Sequence, residues 1–232
     1  MLPYRDNLRS SRPPLVTWTI IGLCVLVFVL DWLGRHAIAL QWAFVPHDLV
    51  SPRAWLERGP LVVFGSLVVS QFLHGGLLHL GSNMLFLYVF GDNVEDRMGH
   101  AKYAGFYLLC GTLAALAEAA LTGFPDHPML GASGAIAGVL GAYFVLFKGA
   151  WVRSIVLIVI FPIFVDIPAV VFIGLWIVFQ FVYSLGFLGG HPEVAYFAHI
   201  GGFLAGMWLQ RSFVAPQHRP PPRYRVLRMD VD

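Results

Sequence analysis

The chain has 232 residues, of which 58% are hydrophobic and only 12% charged, with a formal net charge of +2. A soluble domain carries about 25% charged residues, so this composition argues against a soluble enzyme. Aromatic residues make up 15% of the chain and glycine and proline are irregularly placed, which excludes disorder, collagen and coiled coil. No block of positive charge suits nucleic acid, and a nucleic-acid partner is not expected. Cys24 and Cys110 lie inside apolar runs and form no metal motif. The class that remains is an all-α polytopic membrane protein, with a mean hydropathy of +0.72.

Residues 1–14 read as a cytoplasmic N-terminal tail carrying Arg5, Arg9 and Arg12. The first apolar run, 15–33, imitates a signal peptide, and Ala37-Ile38-Ala39 imitates a cleavage site. A signal core has 7–15 residues, so this longer run is read as a retained signal anchor. Further runs follow at 77–91, 103–122, 133–147, 168–185 and 195–210, which makes six spans within a single domain, 15–213. Two more apolar stretches, 61–73 and 154–165, are expected as partly embedded loops or as extensions of neighbouring spans. Residues 214–232 read as a basic, Pro-rich cytoplasmic tail, a flexible arm at the anionic inner leaflet. With the N-terminus inside, twelve of the fifteen Lys and Arg fall on inner segments, and only Arg35, Arg53 and Arg58 fall outside. The positive-inside rule then places both termini in the cytoplasm of a bacterial-type cell membrane.

Polar side chains inside spans are costly and mark function. The second span opens with Gln71, His74, His79, Ser82 and Asn83, the fourth with Ser133 and the sixth with His199. All three spans run from outside to inside. At a rise of about 1.5 Å per residue, Ser133 stands near the outer boundary, His199 roughly 6 Å deep and Asn83 roughly 10 Å deep. Three separate segments thus place polar groups in one layer. His79 and Asn83, four residues apart, share a helix face. Gly134 with Gly138, and Gly202 with Gly206, form small-residue seams that let helix backbones approach. If the seams face each other, the Ser133 hydroxyl and the His199 imidazole can meet.

A serine hydroxyl becomes a nucleophile when a base takes its proton, and histidine is the usual base. The Asn83 amide, a His79 ring N–H and the Ser133 backbone N–H are candidate donors to a developing oxyanion. Gly131, Ala132 and Gly134 keep the surroundings of Ser133 small enough for a substrate backbone. No aspartate lies at this depth to orient His199, since Asp166 falls on the inner side and Glu118 on another span. The device expected is a Ser–His dyad.

These residues resemble the rhomboid family of intramembrane serine proteases over roughly residues 61–210. The matching motifs are His74-x4-His79-x3-Asn83, Gly131-Ala132-Ser133-Gly134 and Ala198-His199-x2-Gly202-x3-Gly206, with Glu95-Asp96-Arg97 after the second span. The resemblance implies a six-transmembrane-helix rhomboid-like bundle that cleaves transmembrane segments of other membrane proteins near the outer leaflet. It implies Ser133 as nucleophile, His199 as base, and His79 and Asn83 as oxyanion donors. It also implies no cofactor, no metal, and substrate entry beside the fifth span. Several members stack an aromatic residue, four positions after the nucleophile, on the histidine. Here that position is Ala137, so another side chain must orient His199. The family's Trp-Arg pair has no clear match in Arg53-Ala54-Trp55.

Taken singly, Ser133, His199 and Asn83 are ordinary packing or hydrogen-bonding residues of helix interfaces. His74 is read either as shaping the site or as sitting at the loop mouth. Glu95 and Arg97 are read as structural, tying the inner loop to a helix end. Glu118 is read as bonding locally, and 161–181 with Trp176 as lipid-facing bulk. A zinc protease using His74, His79 and His199 lacks HExxH and its acidic base. A transporter predicts midplane charges and repeats that are not seen. The remaining alternative is a catalytically inactive rhomboid-like protein that binds or escorts membrane proteins. Oligomeric state and physiological substrate are not legible.

Overall fold

A computed structural model describes residues 1–158, 161–186, 194–214 and 223–224. In chain order the elements are β1 (Leu2–Asp6), β2 (Leu8–Arg9), α1 (Leu15–Leu33), α2 (Ala37–Trp42), α3 (Pro52–Glu57), α4 (Pro60–Val69), α5 (Leu77–Met98), α6 (His100–Thr122) and α7 (Ser133–Leu146). They are followed by β3 (Trp151–Ile158), β4 (Phe161–Pro168), α8 (Ala169–Ser184), α9 (Tyr196–Phe213) and β5 (Arg223–Tyr224). Each of the six apolar runs is a helix, namely α1, α5, α6, α7, α8 and α9. By length and composition α1 and α6 are long and apolar enough to cross a membrane. α4 and the turn after it meet α5 at 77°, and that bent pair counts as a third span if taken as one. α7 and α8 have 14 and 16 residues, so at about 1.5 Å per residue they fall short of a hydrocarbon core of about 30 Å.

The fold departs from the all-α expectation. The stretch 154–165 is neither an embedded loop nor a helix extension. β3 and β4 form an antiparallel hairpin, and β1 pairs with the other edge of β3 to complete a three-stranded sheet. Trp151–Ile158 is rich in Val and Ile, which suit a pleated surface better than a helix. Pro3, Pro162 and Pro168 lie on the two outer strands and none lies on the central one, as ladder hydrogen bonding requires. Arg153 forks onto Asp166 across the hairpin, with Nε and Nη2 donating at 2.7 and 2.8 Å. That guanidinium holds the Asp166 carboxyl below its ordinary range. The second stretch, 61–73, is a helix of its own followed by a 3-10 turn, Ser70–Phe72.

The N-terminal segment, expected as a tail, is stitched into the core. Asp6 is buried, and its carboxylate accepts from Asn93 Nδ2 at 2.9 Å and from the Tyr143 hydroxyl at 2.6 Å. Of the C-terminal tail, only Arg223–Tyr224 is described, paired with Leu8–Arg9.

α1 begins after Pro14 without a side-chain cap of its own. The fully buried Glu95 of α5 supplies one. Its Oε1 accepts from Val16 N at 2.9 Å, and its Oε2 accepts from Thr17 N at 2.8 Å and the Thr17 hydroxyl at 2.7 Å. His100 Nδ1 stands 2.5 Å from the same Oε1. The carboxylate thus satisfies orphan donors and complements the positive end of the helix dipole. Glu95 therefore ties the C-terminal end of α5 to the start of α1.

α7 forms the centre of the bundle. Residues Gly134–Tyr143 are all buried, in keeping with a helix apolar on every face. Tyr103, Phe106 and Tyr107 of α6 and Leu87, Phe90 and Val94 of α5 complete the core around it.

Candidate active site

Ser133 is the first residue of α7, and Ala132 precedes it as the N-cap. The N–H groups of this first turn have no partner within the helix and point out of its end. Gly131, just before, has φ +131°, a conformation that favours glycine. Its N–H donates to the Ser70 carbonyl at 2.9 Å, which fixes the approach to α7. A Cβ at Gly131 would lie 2.8 Å from His79 Cε1 and Nε2 and 3.8 Å from Ser133 Oγ. The absent side chain is the space into which the His79 ring and the Ser133 hydroxyl converge.

Ser133, His199, His79 and Asn83 line one cavity of about 1180 Å³, together with Gly131 and Gly134. Asn83 is buried, and its Nδ2 has no hydrogen-bond partner among the described residues. A buried amide donor left unpaired costs about 1–3 kcal/mol, so this one stands ready for an acceptor entering the cavity. His74 is buried behind His79, its ring edge-on at 5.3 Å between centroids, and is not part of the cavity wall. Among the described residues no three His, Cys, Asp or Glu side chains gather as metal ligands would.

The spacing between α7 and α9 is set by glycine against backbone. A Cβ at Gly202 would collide with the Gly134 carbonyl oxygen and lie 3.3 Å from Ala114 Cβ. One at Gly206 would collide with the Gly138 carbonyl, lying 2.6 Å from its carbon. One at Gly134 would lie 2.6 Å from Ala114 Cβ and 3.9 Å from the Ala198 carbonyl oxygen. The starts of the two helices thus lie side by side, with Ser133 at the head of one and His199 in the first turn of the other.

Three side chains outside the sequence expectation hold this arrangement. Glu118 does not bond locally. Its carboxylate crosses from α6 and accepts from Ala198 N at 2.7 Å, capping the otherwise uncapped start of α9. Trp176 is not lipid-facing bulk. Its ring lies 5.7 Å from that of His199 and 6.4 Å from that of Phe86. Gln180 Oε1 lies 2.8 Å from His199 Nδ1. Trp176, Gln180 and Tyr183 are spaced i, i+4, i+7, a single face of α8 legible in the sequence but hidden within a uniformly apolar run.

Comparison with known proteins gives the family of the chain. A family model described as the rhomboid domain matches residues 63–215. Rhomboid protein 1, mitochondrial, of Saccharomyces cerevisiae is 28% identical over 209 residues, 85% of this chain and 53% of that protein. Rhomboid protease GlpG of Klebsiella pneumoniae is 26% identical over 153 residues, 66% of this chain and 48% of that protein. Inactive rhomboid protein 1 of Homo sapiens is 30% identical over 151 residues, 65% of this chain and 16% of that protein.

The chain belongs to the rhomboid family. It spans about half the length of the yeast and Klebsiella relatives. The rhomboid domain and the apolar helices make it an integral membrane protein. One relative is named as mitochondrial and another is bacterial, so the likeness does not single out a bacterial-type membrane. The relatives include one named a protease and one named inactive.

Proposed function

We propose that this protein is an intramembrane serine endopeptidase built on six spans, acting on transmembrane segments of other membrane proteins near the outer leaflet. The supporting observation is the shared cavity, where Ser133, His199, His79 and Asn83 arrive from α7, α9 and α5, with the Asn83 donor unpaired. The Ser133 hydroxyl gives its proton to His199 Nε2 as Oγ attacks the scissile carbonyl carbon. The resulting oxyanion accepts from Asn83 Nδ2, a His79 ring N–H and the Ser133 backbone N–H. His199 then returns the proton to the leaving amine as the C–N bond breaks. Water, deprotonated by the same base, hydrolyses the acyl-serine ester.

The relative named inactive favours a second reading, a binding or escort protein without chemistry. Purified protein in detergent, a fluorophosphonate probe and a transmembrane reporter separate the two. Wild type is expected to be labelled and to cleave, with chelators present or absent. Ser133→Ala and His199→Ala are expected to do neither. Folded wild type that takes up no label and leaves the reporter intact would establish the escort reading. Inhibition by a chelator, reversed by zinc, would replace the serine mechanism with a metal one.

Asn83→Ala is expected to lower turnover by about 10–10³-fold. A single oxyanion donor is worth about 10²–10³ in rate, and two donors remain. The loss should fall on kcat rather than KM, because the negative charge exists only after attack. Steady-state kinetics on the folded variant, with thermal stability followed in parallel, checks this. Unchanged turnover would make Asn83 an interhelical tie.

A further inference from the structure

We propose that Gln180 of α8 is the positioning residue for the His199 base, with Trp176 one turn earlier bracing the imidazole ring; this rests on the serine-dyad reading above. A histidine that accepts a proton at Nε2 must carry its own proton on Nδ1, and a third group has to hold it in that form. Ala137, one turn below Ser133, offers only a methyl group. The side chains that meet His199 come from the other side of the cavity. His199 Nδ1 lies 2.8 Å from Gln180 Oε1, an oxygen that can only accept, so this contact calls for the ring proton on Nδ1. That bond selects the tautomer and leaves the Nε2 lone pair free for Ser133. The Trp176 indole is tilted by 39° against the imidazole, with 5.7 Å between centroids, and limits its rotation about the Cβ–Cγ bond. Tyr183, next along the same face, stacks on Tyr196 at 5.7 Å, which seats this face of α8 against the start of α9.

The opposite face of α8 is apolar and exposed at Val171, Leu175 and Val178. The first half of the helix is seated by Phe172 and Ile173, buried in the core, and its second half by the Trp176–Gln180–Tyr183 face. A displacement of α8 would carry the base's orienting group away with it, so the alignment of the base follows the position of this helix. Among the described residues the other titratable side chains of the cavity are His79 on α5, Glu118 on α6, His127 in the loop before α7, Tyr183 on α8 and Tyr196 on α9, and the group at His199 Nδ1 is Gln180.

The test compares Gln180→Met, equal in length but lacking the amide acceptor, with Gln180→Glu, which keeps an acceptor and adds charge. Reporter cleavage by Gln180→Met is expected to fall about 10–100-fold in kcat, with KM within about threefold of wild type. Gln180→Glu is expected to recover most of that loss. Its activity should rise only at higher pH than wild type, because a carboxylate at Nδ1 stabilises the imidazolium. Nitrogen-15 NMR of histidine-labelled protein in micelles supplies a readout independent of activity. The neutral His199 ring should hold its proton on Nδ1 in wild type and divide between both nitrogens in Gln180→Met. An unchanged His199 tautomer in Gln180→Met would overturn the inference, as would equal losses in both variants with the same pH midpoint. Wild type that neither labels nor cleaves, yet shows the Nδ1–H tautomer, would overturn the protease reading and leave the orienting contact standing.

Discussion

Gly202→Val is expected to abolish measurable cleavage and to lower stability by several kcal/mol. The valine Cβ would enter the space of the Gly134 carbonyl oxygen and press on Ala114 Cβ. Neither obstacle is a flexible side-chain tip. One is backbone and the other is a methyl group on a packed helix, so α7 and α9 must move apart. Overpacking costs about 1–3 kcal/mol where neighbours can adjust, and here the neighbour is the helix backbone. Rate suffers more, since about 1 Å of misplacement costs on the order of a hundredfold, and Ser133 and His199 ride on the two helices being separated. Gly22→Ala is the control. A Cβ there meets nothing within 4 Å, so stability and activity should stay near wild type. Thermal unfolding and fluorophosphonate labelling, measured together, decide the matter. Wild-type labelling in folded Gly202→Val would show that the glycine seam does not set the distance between the dyad partners.

Glu95→Gln should be the most damaging change at the opposite end of the molecule. The carboxylate collects donors from Val16, Thr17 and the Thr17 hydroxyl while 1% exposed. An amide of the same shape keeps one acceptor and turns an NH2 toward donors. Hydrogen bonds to a charged group contribute about 1.5–3 kcal/mol each, and the dipole at the start of α1 loses its counter-charge. A loss of about 2–4 kcal/mol is expected, with the catalytic constants of the surviving folded fraction unchanged. Unfolding in a graded mixture of mild and denaturing detergent measures the first, and kinetics at low temperature measures the second. A stability within about 0.5 kcal/mol of wild type would mean that water caps α1 instead.

The sequence exposes the six helices because each apolar run is long and bounded by Gly, Pro or charge. It exposes the four cavity residues because a polar side chain in an apolar run stands out. The hairpin at Trp151–Pro168 is hidden for the converse reason. A short apolar run reads alike as strand or as buried helix, and pairing with residues 2–6 is not a local property. The orienting role of Gln180 is hidden too, because its partner is nineteen residues away and the intervening chain gives no spacing rule. Glu118 and Glu95 follow the same pattern. Each caps a helix remote in sequence, with separations of 80 and 79 residues to Ala198 and Val16.

The small sheet also dictates a schedule. Residues 2–6 find their partners only at 152–155, and Asp6 must wait for the Tyr143 hydroxyl as well. At a synthesis rate of about 5–20 residues per second, the first strand waits on the order of 10 s after it leaves the ribosome. During that interval α1 has to lodge in the bilayer, and the groups that hold its leading end, Asn93 on Asp6 and Glu95 on Val16 and Thr17, are themselves made only about halfway through. The sheet is therefore a clasp fastened late, after the helices through α7 have been made, and its fastening joins residues 2–6 to a strand made before α8 and α9.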